Sequence, residues 1–439
     1  MISADYFYSD RHSELVSEYP FETLKQVQGD SDSKTVFANE VKQTTNNKEI
    51  ATHSDFIIKN PNARKDDNYS SRHITQSHCH TALDAVSPKI STVSNGMPCQ
   101  ARQDSILKNS LKIISERYSF PLEFLELLLS KSNQINLQNI FDFVEAMNVP
   151  ASTCIRVNTM LSSVDEVIEN LKNNNIESQK GKLSSTCIIV PKRHQLTDLE
   201  DYKKGKFVIQ DEASQLVAFC ANPKPTDYIL DACAGAGGKS LHLADFQRDS
   251  GKIIASDIEF MKLKEIPKRA FLSGIKSIKI AICRPDGNIY FLQDSKKNSK
   301  PIKDKFDIVL VDAPCTGAGT LRRDPTKKYK ITSKTLNKMS EIQYQILTNY
   351  SKYVAEGGFL LYSTCSIFSQ ENEMVTERFL SANTDFIPEP IYKNFSENGI
   401  FIPTVTTANT AHSSDYHITL FPFIHSTDGF FISKMKRQA

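Results

Sequence analysis

The stretch Tyr228-Ile229-Leu230-Asp231-Ala232-Cys233-Ala234-Gly235-Ala236-Gly237-Gly238-Lys239 decides how this chain is read. Three apolar residues make a short strand, small residues and glycines make a turn, and Leu241, Leu243 and Ala244 open a helical pattern behind it. A strand that enters a helix through such a turn presents free N–H groups at the helix start, and glycines let the backbone approach a ligand closely. Outward from this point the texture repeats. Lys252–Ala255, Phe306–Val311 and Gly358–Tyr362 are apolar runs, each followed by a turn and a helical pattern. The alternation predicts a doubly wound, mainly parallel α/β sheet from about Lys206 onward, with ligands at the carboxyl edge of its strands.

The ends of these strands carry the chemistry. The run after Lys252 ends in Asp257, about twenty residues past the glycine turn, where a carboxylate can accept hydrogen bonds from the two hydroxyls of a ribose. An adenosine-containing cofactor follows. Gly235, Gly237 and Gly238 are not spaced as Gly-x-Gly-x-x-Gly, and the residues leave both NAD and S-adenosylmethionine open. Asp286, or alternatively Asp294, is the candidate contact to the adenine after the third strand. Two further strands end in thiols, within Asp312-Ala313-Pro314-Cys315 and Ser363-Thr364-Cys365-Ser366. Each lies in a polar or glycine-rich turn, unlike a cysteine that merely fills a core. A thiolate that adds to C6 of cytosine turns the ring into an enamine whose C5 can attack a methyl donor. Asp312, three residues from Cys315, is the candidate group for N3 of that ring. A second thiol can assist release, and spacing alone leaves the two cysteine roles interchangeable.

The chain of 439 residues, 39% hydrophobic and 24% charged, has room for two or three domains. Residues 1–104 are rich in Ser, Asn, Thr, Asp and His without sustained periodicity and are expected to be a disordered tail. Within them, Arg11–Asp30 and His80–Lys89 resemble translated interspersed repeats and are expected to have no catalytic duty. Residues 105–200 read as a small α+β unit. It has helical patterns from Ser105, Leu122 and Leu137, then a strand at Cys154–Asn158, a helix at Val164–Lys172 and a strand at Thr186–Val190. Residues 201–439 form the catalytic domain. Nine scattered cysteines without Cys-x-x-Cys pairs argue against a disulfide framework or a structural zinc, and no metal is expected. No run approaches the roughly 18 apolar residues of a membrane span, and the start lacks the basic and apolar regions of a signal peptide. A cytoplasmic protein without membrane contact is expected, acting as a monomer. With a net charge of +2, any basic surface must be local. The candidate is Arg322, Arg323, Lys327, Lys328, Lys330, Lys334 and Lys338 around Tyr329, suited to an unpaired RNA segment whose target base is swung out.

Five segments, in order, resemble the RsmB/RsmF family of RNA cytosine-5 methyltransferases from about residue 110 to the end. They are Gln210–Gln215, Asp231–Lys239, Asp312–Cys315 with Arg322–Pro325, Tyr362–Ser366 with Glu371–Glu373, and Thr427–Phe431. The resemblance implies a Rossmann-like class I methyltransferase sheet preceded by a ferredoxin- or RRM-like RNA-binding subdomain, with S-adenosylmethionine as cofactor. It implies that Cys233, Ala234, Gly235, Ala236, Gly237, Gly238, Lys239, Asp257 and Asp312 line the cofactor pocket, Asp312 also facing the cytosine. It implies that Cys365 attacks and Cys315 assists release, and that Arg156-Val157-Asn158 is the strand of the RNA-binding subdomain. Ribosomal RNA is the substrate this points to, with transfer RNA as the alternative. Ala236 stands where many relatives carry proline, which implies a looser turn that still keeps every residue facing the ligand. No helical domain of the kind that precedes the subdomain in some members is evident.

Overall fold

The computed structural model describes residues 99–439 apart from 133–134, 138, 285–286, 292–300 and 404–414. The repeat-like segments and both adenine candidates, Asp286 and Asp294, lie outside the described residues.

Three helices come first: α1 (Cys99–Tyr118), α2 (Leu122–Lys131) and α3 (Ile140–Asn148). The first reaches back to Cys99, across the boundary expected at residue 104. Their apolar faces, among them Leu111, Ile114, Phe124, Leu128 and Phe143, are buried against Leu321, Ile331, Leu336, Phe368 and Phe421. The helices thus cover the segments that follow the two cysteine turns. This core is built from residues far apart in the chain.

The α+β unit itself holds β1 (Thr153–Val157), α4 (Val164–Asn173), β2 (Gln179–Lys180), β3 (Cys187–Val190) and β4 (Phe207–Ile209), in the antiparallel order β2-β3-β1-β4. Ser163 caps α4 by accepting from the Glu166 N–H at 3.1 Å. Ile155, Val157, Val167, Leu171, Ile188, Val190 and Phe207 form its core. Strand β4 lies past residue 200, where the unit was expected to end, because the sheet needs a partner for the free edge of β1.

The catalytic part contains α5 (Glu212–Ala221), β5 (Tyr228–Asp231), α6 (Gly238–Phe246), β6 (Lys252–Asp257), α7 (Glu265–Leu272), β7 (Ile278–Cys283), β8 (Ile289–Phe291) and β9 (Phe306–Asp312). It continues with α8 (Ser333–Ser351), β10 (Val354–Thr364), α9 (Glu373–Ala382), β11 (Phe386–Pro388), β12 (His417–Leu420) and β13 (Phe430–Arg437). The described strands join in the order β11-β13-β10-β9-β5-β6-β7-β8, with β12 also on β13, and β10, β9, β5, β6 and β7 run parallel. Runs such as Ile253-Ile254-Ala255 and Ile308-Val309-Leu310-Val311 are buried throughout, as strands covered on both faces require. The chain leaves β5 toward β6 and β7 and returns on the other side of β5 with β9 and β10. Strand order therefore reverses between β5 and β9, and the turns after β5, β9 and β10 meet at that edge. No helix among the described residues is long and apolar enough to cross a membrane.

Candidate active site

The turn after β5 is shaped from several directions. Gly235 and Gly237 have φ of +54° and +80°, which a side chain disfavours, and a Cβ on Gly237 would meet Ile266 of α7 at 2.8 Å. Arg269 donates to the Ala236 carbonyl at 2.6 Å, and Arg156 of β1 donates to the Gly238 carbonyl at 2.9 Å and to Gln210 Oε1 at 2.8 Å. These bonds fix Ala236 without help from a proline. By contrast, a Cβ built on Gly235 or Gly238 would meet nothing within 4 Å, so the backbone there faces open space. Asp257 accepts from the Gly235 N–H and the Glu259 N–H, both at 2.8 Å, and each oxygen keeps a lone pair for a further donor. The open glycine cradle beside a carboxylate at the end of β6 fits an adenosine-containing cofactor with an amino-acid end.

Lys239, on the first turn of α6, bonds Asp312 Oδ2 at 2.6 Å, and Ser363 donates to Asp312 Oδ1 at 2.8 Å. Burial opposes the lysine charge, yet Asp312 outweighs it and raises the Lys239 pKa. This contact ties the cofactor turn to the ends of β9 and β10. Arg156 and Asn158 prove to be joints rather than exposed groups: both are buried, and Asn158 donates to the Gly205 and Ser273 carbonyls at 3.1 and 2.9 Å.

The two strand-end thiols converge, with Cys315 Sγ and Cys365 Sγ 3.2 Å apart. Their surroundings differ in charge. Cys365 is held below the usual thiol pKa, first by the hydrogen bond from Cys315 and then by Lys327 and Lys239, against burial and Asp312. Cys315 is pushed well above it by that same bond, by burial and by the negative charges of Cys365 and Glu371. Of the two, Cys365 is therefore the more readily ionised thiol. A third thiol, Cys233, is pushed well up by burial and by Asp257, Asp231 and Asp312, which keeps it protonated.

Sequence reasoning assigned no role to Glu371, which ties the two cysteine turns together. Its carboxylate accepts from Thr316 N (2.8 Å), Thr316 Oγ1 (2.5 Å), Gln343 Nε2 (3.0 Å) and Ser366 Oγ (2.5 Å). The Gly319 N–H donates to the Cys365 carbonyl at 2.9 Å, and the Gly429 N–H to the Gly319 carbonyl at 2.8 Å. A Cβ on Gly319 would lie 2.0 Å from the Gly429 oxygen, so only glycine permits this approach.

The basic stretch does not form one solvated face. Arg323 is clamped between Asp428 (2.5 Å) and Asp211 (2.8 Å), and Lys328 is buried with Nζ 4.3 Å from the Phe120 ring centroid. Lys327 bonds Thr320 Oγ1 at 2.9 Å on the thiol side. Tyr329, Lys330, Lys334 and Lys338 are the exposed remainder. Among the described residues, no group of three or more His, Cys, Asp or Glu is placed to hold a metal.

A doubly wound sheet with an open glycine cradle, a carboxylate at the end of β6 and paired strand-end thiols defines a Rossmann-like, S-adenosylmethionine-dependent methyltransferase. Residues 218–436 match the model of the 16S rRNA methyltransferase RsmB/F family, and residues 136–197 match the ferredoxin-like domain of RsmF/B-like methyltransferases. The chain belongs to the RsmB/F family. It is 29% identical to a Synechocystis protein named as a probable ribosomal RNA small subunit methyltransferase B, over 79% of this chain and 74% of that protein. It is 27% identical to a mouse 28S rRNA (cytosine-C(5))-methyltransferase over 71% of this chain, and this match spans only 38% of the mouse protein. The crystal structure of NSun6 from Pyrococcus horikoshii with SFG shares the fold. The TM-score is 0.61 at 20% identity, covering 73% of this chain and 99% of that one.

Proposed function

We propose that this protein methylates C5 of a cytosine in ribosomal RNA, with Cys365 as the attacking thiolate and Cys315 as the thiol that serves release. The observation that carries the reading is the 3.2 Å contact of two thiols in unequal charge environments, one step from the cofactor turn through Lys239 and Asp312. The S-adenosylmethionine held by residues 233–239 and Asp257 would supply an electrophilic methyl group. The covalent steps fall to side chains of this chain. Cys365 adds to C6, which makes C5 nucleophilic. Asp312, fixed by Lys239 and Ser363, is the group at the thiols that can hold a proton at N3. On release a base from solvent takes the C5 proton, the C5–H electron pair restores the C5–C6 double bond, and the S–C6 bond breaks with its electron pair returning to Cys365. The Cys315 S–H donates to that sulfur, which makes it a better leaving group.

Bisulfite sequencing of total RNA tests the assignment. In cells lacking the gene, one protected ribosomal cytosine should become convertible, and wild-type protein but not Cys365→Ala should restore it. A gene-dependent site found only in transfer RNA would overturn the substrate, and no gene-dependent site at all would overturn the reaction.

A further inference from the structure

Resting on the reading above, we infer that Arg193 and Arg322 form a subsite for a backbone phosphodiester of the substrate RNA, in a cleft between the ferredoxin-like unit and the turn after Cys315. The cleft has a volume of about 410 Å³. One wall is Thr153 and Pro191 with Arg193, brought side by side by the antiparallel pairing of Thr153 with Val190. The other wall is Arg322 and Arg323. Among the described residues no other charged residue lines it.

The two arginines of the second wall are in different states. Arg323 is satisfied by short bonds to Asp428 and Asp211 and serves to position its neighbour. The Arg322 side chain is only 10% exposed, yet its contacts are long, 3.4 Å to Asp428 Oδ1 and 3.5 Å to the Ser426 carbonyl. Its buried Nε has no partner. A guanidinium carries five N–H donors, and a nearly buried one with such poor partners lacks acceptors that an anion would supply. Arg322 shares Asp428 with Arg323, whose contacts to Asp428 and Asp211 are the shorter ones, so with Arg193 the three arginines outnumber the two carboxylates and the cleft keeps a net positive charge. Planar, forked donors facing a cleft suit a phosphate rather than a base edge.

The position suits a nucleotide flanking the target. Gly319 bonds the Cys365 carbonyl, and Arg322 lies three positions further on, about 10 Å of chain at most. A phosphate in the cleft would hold the strand while a base reaches the thiols, so its loss should weaken binding and leave the chemical step intact.

Arg193 is exposed and its replacement should leave the fold undisturbed, so Arg193→Gln is the primary test, with Lys172→Gln on the exposed face of the same unit as control. Affinity for an unpaired ribosomal RNA fragment is read by fluorescence anisotropy across salt concentrations, beside kcat and KM for methyl transfer. The expected result for R193Q is roughly 10-fold weaker binding near 0.1 M salt, with the salt slope reduced by about 0.7 and kcat unchanged. K172Q should change none of these. Wild-type affinity and slope for R193Q, or an equal loss in K172Q, would overturn the subsite. Inorganic phosphate forms a separate arm: if it raises the melting temperature of wild type but not R193Q while RNA affinity is equal, the cleft takes a free anion and the RNA assignment fails. If wild type transfers no methyl group to the RNA, the proposed reaction fails instead, while the anisotropy result still decides the subsite.

Discussion

Replacing Glu371 by alanine removes one carboxylate and strands four donors at once. Two of them, the Thr316 and Ser366 hydroxyls, can rotate toward other acceptors. The Thr316 N–H cannot, and Gln343 keeps only its 2.9 Å bond to the Pro314 carbonyl. A buried donor left without a partner costs about 1–3 kcal/mol, and the cavity left by the side chain adds to it. A loss of roughly 3–5 kcal/mol follows, which for an ordered body of this size is a fall in melting temperature of about 4–7 °C. Glu371→Gln keeps one carbonyl acceptor and should lose less than half as much. The effect should reach the thiols, because Thr316 follows Cys315 and Ser366 follows Cys365. Without the shared anchor, the S–H to thiolate bond loosens and Cys365 gives up its advantage. Differential scanning fluorimetry gives the stability. Competitive alkylation with iodoacetamide, read by mass spectrometry of the two cysteine peptides, gives the ratio of Cys365 to Cys315 modification. An alanine variant with an unchanged melting temperature and an unchanged ratio would refute the role of Glu371 as the anchor of both turns.

Lys327→Met should raise the Cys365 pKa, since Lys327 is one of the two cations that hold it down. In wild type, the rate of Cys365 alkylation should climb with pH to a midpoint below the ordinary thiol value of 9.0, and in the variant that midpoint should move upward. Asp231 is fully buried, with Ser240 on one oxygen and no partner on the other, and burial pushes its pKa up to about 7. The folded state then binds a proton more tightly than the unfolded state, so this group's contribution to stability should fall as pH rises from about 4 to about 7. Asp231→Asn should flatten the melting temperature across that window, and an unchanged slope would contradict the assignment.

Much of the catalytic sheet was legible because strands buried on both faces are continuous apolar runs and their ends carry polar turns. The cofactor turn, Asp257 and the two thiols could be named for that reason, and comparison with the RsmB/F family agrees with the class of enzyme they suggested. Partnerships between distant residues could not be named. Arg323 looked like part of a basic stretch because its partners Asp211 and Asp428 are more than 100 residues away in sequence. Lys328 likewise seemed free until α1 and α2 brought Phe120 beneath it. Arg156 alternates with apolar residues as a strand requires, but nothing in that pattern reveals that it reaches the Gly238 carbonyl. The unequal charge around the two cysteines was equally hidden, since Lys239, Lys327 and Glu371 approach from three separate segments.

The division of labour between the thiols is tested most directly by incubating each cysteine variant with substrate RNA and S-adenosylmethionine, then resolving protein from RNA under denaturing conditions. Cys315→Ala should still add to the base and fail to leave, giving a protein–RNA adduct that survives denaturation. Cys365→Ala should give neither adduct nor methylated RNA. Adduct formation by Cys365→Ala, or methyl transfer by it at the wild-type rate, would contradict the account.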